Sequence, residues 1–331
     1  MEMVWTVVLF LLGLVLLIKC GDWFVDGASG IARRFHVPEL LLGATVVSIG
    51  TTLPEVMVST ISAVEGSGGL AYGNAVGSIV CNTSLIAALT VAIRPAVVDR
   101  KTFRLPVAFF FGTAAFYVLI AYLTGEYTRT VGIALLVIFL VYMAGQVYLA
   151  RKAPLADELP EADDAEETPA KDDKKQLILD IVRLVIGAAG IAIGAKLLVD
   201  NGTKLAEAIG VPDSVIGLTF VALGTSLPEL VTAIISLTKG HGALSLGNII
   251  GANLFNMVLV TGMSATVGPF SIPAEKTIAG VNGSLVVDMP VMIAVMALLT
   301  IPTLIRGKLA RWQGILLLVI YAAFCAYQFI V

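Results

Sequence analysis

The chain has 331 residues, of which 58% are hydrophobic and 14% charged, with a mean hydropathy of +0.94 and a formal net charge of −3. A soluble domain carries about 25% charged residues, so this composition excludes one. No nucleic-acid partner is expected.

Apolar runs of about 20 residues, the length that crosses a bilayer core, fall in chain order near 3–21, 38–64, 70–93, 103–123, 130–150, 177–199, 212–237, 243–267, 285–305 and 310–330. The first is not a cleaved signal peptide: it lacks a basic n-region and a small-residue cleavage site, and it runs into Gly21-Asp22-Trp23-Phe24-Val25-Asp26-Gly27. Between the fifth and sixth runs, nine acidic residues lie within 153–175 and read as a solvated, mobile tether. They lack the spacing and glycine of an EF-hand loop. On one side of the predicted bilayer stand fifteen Lys and Arg of the loops and helix ends, and on the other only Arg129, Lys204 and Lys276. The positive-inside rule then puts both termini outside and the acidic tether in the cytoplasm. The expected fold class is all-α polytopic membrane protein, with ten transmembrane helices. Residues 1–152 form one half, 153–176 the linker and 177–331 the other half.

The halves are copies. Residues 43–88 align on 217–262 without a gap at an offset of 174, and 18 of the 46 positions are identical. Chance in an apolar chain would give roughly three to five, so duplication is the economical explanation. Five crossings separate each element from its copy, and an odd number makes the copies face opposite ways, the inverted repeat of many secondary transporters. The shared residues are Gly, Pro, Asn, Thr and Glu, which a membrane helix tolerates only where protein or water satisfies them.

Two motifs carry the chemistry. In Gly50-Thr51-Thr52-Leu53-Pro54-Glu55 and Gly224-Thr225-Ser226-Leu227-Pro228-Glu229, each proline removes a helical hydrogen bond and frees a carbonyl at mid-membrane. Hydroxyls three or four residues before each Glu fall on its face. Hydroxyl, carbonyl and carboxylate oxygens are hard ligands, suited to Ca²⁺, Na⁺ or Mg²⁺ rather than zinc or copper. Pseudosymmetry is expected to bring Glu55 and Glu229 together, where two bare carboxylates need cations. The second motif, Gly73-Asn74-Ala75-Val76-Gly77-Ser78 and Gly247-Asn248-Ile249-Ile250-Gly251-Ala252, has the small-xxx-small spacing of close helix packing. Its amides Asn74 and Asn248 are open to interhelical hydrogen bonds or to an ion, whereas Asn82 and Asn256 are expected to contact ion or water.

These paired motifs resemble the two α-repeats of the cation/calcium antiporter superfamily, and the short ten-helix chain looks like its prokaryotic sodium/calcium exchangers. The resemblance implies an integral protein of a prokaryotic plasma membrane that exchanges Na⁺ for Ca²⁺ by alternating access, with the first and sixth helices sliding against the rest. It implies no cofactor. The implied ligands are the side chains of Thr51, Thr52, Glu55, Ser78, Asn82, Thr225, Ser226 and Glu229 and the carbonyls of Ser48 and Ala222. The chain departs from its likeness in two places. Ala252 stands where a Ser is usual, and Asn256 where many relatives have Asp, which leaves Glu55 and Glu229 as the only acids. Charge balance therefore sets two Na⁺ per Ca²⁺ beside the three that the resemblance implies. Asn256 argues against K⁺ co-transport, and the neutral second motifs against proton coupling. H⁺/Ca²⁺ exchange is the alternative function, and a cation channel a further one. The chain has no nucleotide-binding loop or paired nucleophile, so an enzyme or primary pump is disfavoured.

Other polar residues have plainer expectations. Lys19 with Asp22, and Lys196 with Asp200, are expected to snorkel or pair at an interface. Asp26 and Asp200 coincide in the repeat and are read as caps or hinges of the mobile helices. Asp288 is expected to face headgroups or water, and His36 and His241 the surface. Cys20, Cys81 and Cys325 are expected as small apolar helix residues.

Overall fold

The computed structural model describes residues 2–152, 170–208, 222–274, 277–278 and 280–330. Apolar sequence builds helices α1 (Glu2–Arg34), α4 (Arg100–Thr124), α5 (Arg129–Lys152), α6 (Ala170–Ala208) and α10 (Arg311–Ile330). Helices α2 (Glu39–Val64), α3 (Gly68–Ile93) and α8 (Gly242–Val267) are each interrupted by a π-helical turn, and α9 (Ser284–Arg306) begins with one. Helix α7 is two pieces, Ala222–Thr225 and Leu227–Thr238, broken at Ser226. Among the described residues, eight helices are long and apolar enough to cross a membrane.

Three expectations are corrected. The first crossing does not stop at 21: α1 is one helix of 33 residues, so the segment Gly21–Gly27 is helical. The sixth is also longer than 177–199, and because α6 begins at Ala170 the end of the expected tether, 170–176, belongs to it. The two Pro-Glu helices are not equal copies either. The piece of α2 from Ser48 to Val64 runs unbroken through Pro54, whereas α7 breaks before Pro228. The tether at 153–169 and the start of the seventh crossing at 212–221 lie outside the described residues.

Helices α1 and α6 pack backbone to backbone because glycines line the seam. A Cβ on Gly13 would stand 2.8 Å from the Gly194 oxygen, one on Gly194 would stand 2.9 Å from the Gly13 oxygen, and one on Gly187 would stand 2.7 Å from the Phe24 nitrogen. Small residues are what such an approach requires in lipid, where no hydrophobic force drives helices together. Cys20 is buried in the same seam against Gly190. The opposite faces of both helices expose Leu11, Val15, Ile18, Val182, Ile186 and Ile193, as lipid contact demands.

The main core lies between α3, α4, α5 and α8, where Tyr142 meets Phe109 and Phe255 edge-on at 5.3 and 5.9 Å. Short antiparallel pairs tie the loops: Glu126–Tyr127 with Phe270–Ser271 at one end, and Val97 with Lys308 at the other. Asp99 caps α4 by accepting from the Lys101 and Thr102 amides. Partial burial would raise its pKa, but these hydrogen bonds and the Lys101 charge outweigh that and hold the carboxyl below its ordinary value.

Gly194→Leu is expected to wedge α1 from α6 and destabilise the protein by about 1–3 kcal/mol. Thermal unfolding in detergent checks this, with Gly112→Leu as the control, since a Cβ there meets nothing within 4 Å.

Candidate cation site

The repeated motifs meet crosswise. Helix α2 packs on the π turn of α8 (Asn256–Val260), and α7 on that of α3 (Asn82–Ala87). Both turns begin on an asparagine, and the two asparagines are 174 residues apart. A π turn breaks the regular hydrogen-bond ladder and so leaves carbonyls to be satisfied by other groups. In the π turn of α2 the Ser48 hydroxyl contacts the Gly43 oxygen at 2.7 Å and the Asn248 oxygen at 2.9 Å, and Tyr142 donates to Ala44 O at 3.0 Å.

Glu55 and Glu229 are both 0% exposed, and no oxygen of either has a hydrogen-bond partner. They lie close enough for their charges to interact, and Glu229 faces Thr51 and Thr52 of the other half. Around them, Thr52 Oγ1, Ser226 Oγ, Asn256 Oδ1 and both polar atoms of the Asn82 amide are buried without partners. Buried polar atoms are nearly always paired, and each that is not costs about 1–3 kcal/mol. Such oxygens together with two carboxylates have the donor chemistry that suits a hard cation. Among the described residues no group of three or more His, Cys, Asp and Glu occurs, so the neutral ligands must be hydroxyl, amide and carbonyl oxygens.

The remaining motif residues divide by partner. Thr51 donates to Asn248 Oδ1 at 3.1 Å, and Thr225 donates to Asn74 Oδ1 at 3.2 Å. These are two copies of one bond between the repeats. Asn74 also donates to Ser59 at 2.8 Å, which answers the question left open for these amides in favour of interhelical bonding. Thr51 and Thr225 therefore each bond an amide of the opposite repeat, and Thr51 also faces Glu229. Ser78 is buried, Thr225 is half-buried, and Ala222 opens the short first piece of α7. Asn256 donates to the Ala252 carbonyl at 3.0 Å, and its side-chain oxygen is left buried without a partner.

Some contacts escaped sequence reasoning. Asn253 donates to Thr83 at 2.7 Å, but its repeat equivalent is Ile79, so the duplication offers no signal for it. His241 is not a free surface residue: its Nδ1 lies 2.6 Å from Glu39 and joins the starts of α8 and α2, while His36 is exposed. Asp22 pairs with Lys239 and not with Lys19, and Lys196 pairs with Asp200 at 3.2 Å as expected. Asp288 is half-buried and accepts from Gln328 at 2.9 Å, so it does not simply face headgroups or water.

Inverted repeats, broken helices and a buried oxygen cage at their interface define a secondary-active antiporter of the alternating-access type, not an enzyme. The description "sodium/calcium exchanger protein" matches residues 5–148 and 179–330, and the chain belongs to that family. It is 34% identical over 316 residues to the uncharacterized membrane protein MJ0091 of Methanocaldococcus jannaschii, covering 94% of each chain. It is 32% identical to the sodium/calcium exchanger MaX1 of Methanosarcina acetivorans, covering 97% of each. Among solved structures, the sodium-calcium exchanger NCX_Mj soaked with 10 mM Na⁺ superposes with a TM-score of 0.82 at 33% identity, over 98% of this chain and 99% of that one.

The division of hydroxyls is testable. Thr51→Val is expected to strand the Asn248 oxygen and cost about 1–3 kcal/mol of stability. Thr52→Val removes an unpartnered hydroxyl and is expected to leave stability unchanged or raised while weakening cation binding. Thermal melts with and without Ca²⁺ separate the two effects.

Proposed function

We propose that Ca²⁺ and Na⁺ compete for the oxygens between Glu55 and Glu229, and that the chain exchanges two Na⁺ for one Ca²⁺ across a prokaryotic plasma membrane. Thr52, Ser226, Ser78, Asn82 and Asn256 supply neutral oxygens, and the carbonyls of Ser48 and Ala222 complete the set. Thr51 and Thr225 hold the two halves in register. Residues 1–152 and 177–331 act as the two repeats, with both termini outside and the linker in the cytoplasm. The distribution of Lys and Arg supports that orientation.

One observation carries this reading: two fully buried carboxylates, from opposite repeats, without a hydrogen-bond partner on any oxygen. Their combined charge of −2 is balanced by one Ca²⁺ or by two Na⁺, whereas three Na⁺ would leave a charge uncompensated in low dielectric. Fully buried Ala252 offers no hydroxyl and Asn256 no charge to alter that sum. The named relatives support the ions: one is called a sodium/calcium exchanger, and the solved exchanger was soaked with Na⁺, Ca²⁺ and Sr²⁺.

Proteoliposomes loaded with Na⁺ and diluted into Na⁺-free buffer are expected to accumulate ⁴⁵Ca²⁺. Glu55→Gln and Glu229→Gln should each cut the initial rate by roughly 100-fold or more, as expected when a buried ionic arrangement loses a partner. Uptake driven by a pH gradient and indifferent to Na⁺ would replace Na⁺ by H⁺ in this scheme.

Coupling of two Na⁺ to one Ca²⁺ is electroneutral, so clamping the membrane potential near 0 or at about −100 mV should not change the equilibrium Ca²⁺ ratio. One net charge per cycle would shift it by about 2.3 kcal/mol, close to 50-fold.

A further inference from the structure

The repeat extends into two turns at opposite ends of the molecule. Helix α2 ends in Glu65-Gly66-Ser67 and α7 in Lys239-Gly240-His241, with φ of +80° at Gly66 and +86° at Gly240. The same hydrogen bonds close both: Glu65 N to Ile61 O, Gly66 N to Ala63 O and Ser67 N to Ser62 O, matched by Lys239 N to Ile235 O, Gly240 N to Leu237 O and His241 N to Ser236 O. Lys239 and Glu65 are therefore structural equivalents at the offset of 174. By the same offset, Asp22 and Asp26 of α1 correspond to Lys196 and Asp200 of α6.

At the Lys239 end α1 is closed on α7. Lys239 Nζ lies 3.2 Å from Asp22 Oδ1 and 2.7 Å from Asp26 Oδ1, and it also donates to the Asp22 carbonyl. Beside it Gly21 abuts Val231 and Ile235. Above the pair, toward Glu229, the hydroxyls of Thr232 and Ser236 are fully buried and unpartnered on the same face of α7. At the other end the equivalent interface stands open. Ala195, Met57 and Ile61, the counterparts of Gly21, Val231 and Ile235, line a groove of about 880 Å³ between α6 and α2. Among the described residues Lys196 pairs with Asp200 of its own helix, with its side chain 78% exposed, and Glu65 is exposed.

We propose that Lys239 with Asp22 and Asp26 is the closed latch of this access state, and that Lys196 with Asp200 and Glu65 forms its mirror image in the opposite state. Each latch is one ammonium between two carboxylates, but the lysine sits on the stationary helix in one and on the moving helix in the other. Because α1 and α6 are locked backbone to backbone, a slide that shuts the α6–α2 groove pulls α1 from α7. The latches therefore exclude one another. Partial exposure keeps each weak enough to break in every cycle. These six side chains are positioning residues that set the balance of access states without touching the ions. The inference rests on the alternating-access exchange and the orientation proposed above.

The test measures the Michaelis constant for Ca²⁺ separately on the two membrane faces of oriented vesicles. Removing a latch lowers the population of the state it holds, and apparent affinity on that state's open side falls in proportion. Lys239→Gln is expected to raise the extracellular KM and lower the cytoplasmic one by about two- to fivefold, in line with the strength of a partly exposed pair, and Glu65→Gln to do the reverse. Glu65→Lys should act like Glu65→Gln, and the exchange Glu65→Lys with Lys196→Glu should restore the wild-type split. Shifts in the same direction for both single variants, no shift in either, or failure of the charge exchange to restore the split would overturn the proposal. A transport-free readout keeps it separate from the ion assignment. In a background lacking the native cysteines, the pairs Glu65→Cys with Lys196→Cys and Asp22→Cys with Lys239→Cys should cross-link, and a conformation trapped by one should be refractory to the other. Both cross-links forming fully in one molecule would refute the latches whatever ion is carried.

Discussion

Two carboxylates buried without partners in the middle of a membrane protein are the constraint around which the rest is arranged. An ionised carboxylate in a low-dielectric interior costs several kcal/mol unless a cation and further oxygens meet it. Glu55 and Glu229 come from opposite repeats, so neither half alone builds the site. The neutral oxygens beside them are bound to the same requirement. They are withheld from the usual intrahelical bonds, and so they remain available to an ion.

That availability is created by irregular backbone and guarded by a second set of polar residues. The π turns at Asn82 and Asn256 and the break at Ser226 reorient side chains that a regular helix would satisfy internally. The bonds Thr51 to Asn248 and Thr225 to Asn74 hold the repeats in register at the level of the glutamates. Side chains of one motif thus divide: Thr51 and Thr225 bond across the repeats, while the hydroxyls of Thr52 and Ser226 stay buried without partners.

A symmetric sequence has folded into an asymmetric state. The glycine seam packs α1 and α6 backbone to backbone, while α1 is closed on α7 and the equivalent contact of α6 with α2 is open. In the latch scheme proposed above, alternating access is the exchange of those two arrangements. The ion pairs at Lys239 and Lys196 mark which contact is made.

Much of this was legible in the chain itself. Hydropathy set the crossings because lipid permits only helices that satisfy their own backbone, and the offset of 174 exposed the inverted repeat and the paired glutamates. Those features are local or periodic, and they survive in one dimension. Helix ends did not: α1 continues to Arg34 because Gly27 and its neighbours have α6 to pack on, which hydropathy does not register. Partner choice was likewise invisible. His241 finds Glu39, and Asp22 and Asp26 find Lys239, across more than 200 residues of sequence. The sequence by itself determined the membrane class, the duplicated architecture and the chemistry of the oxygen ligands. Only the tertiary structure decided which hydroxyls face the cage and which interface is shut, because both depend on how the helices meet in space.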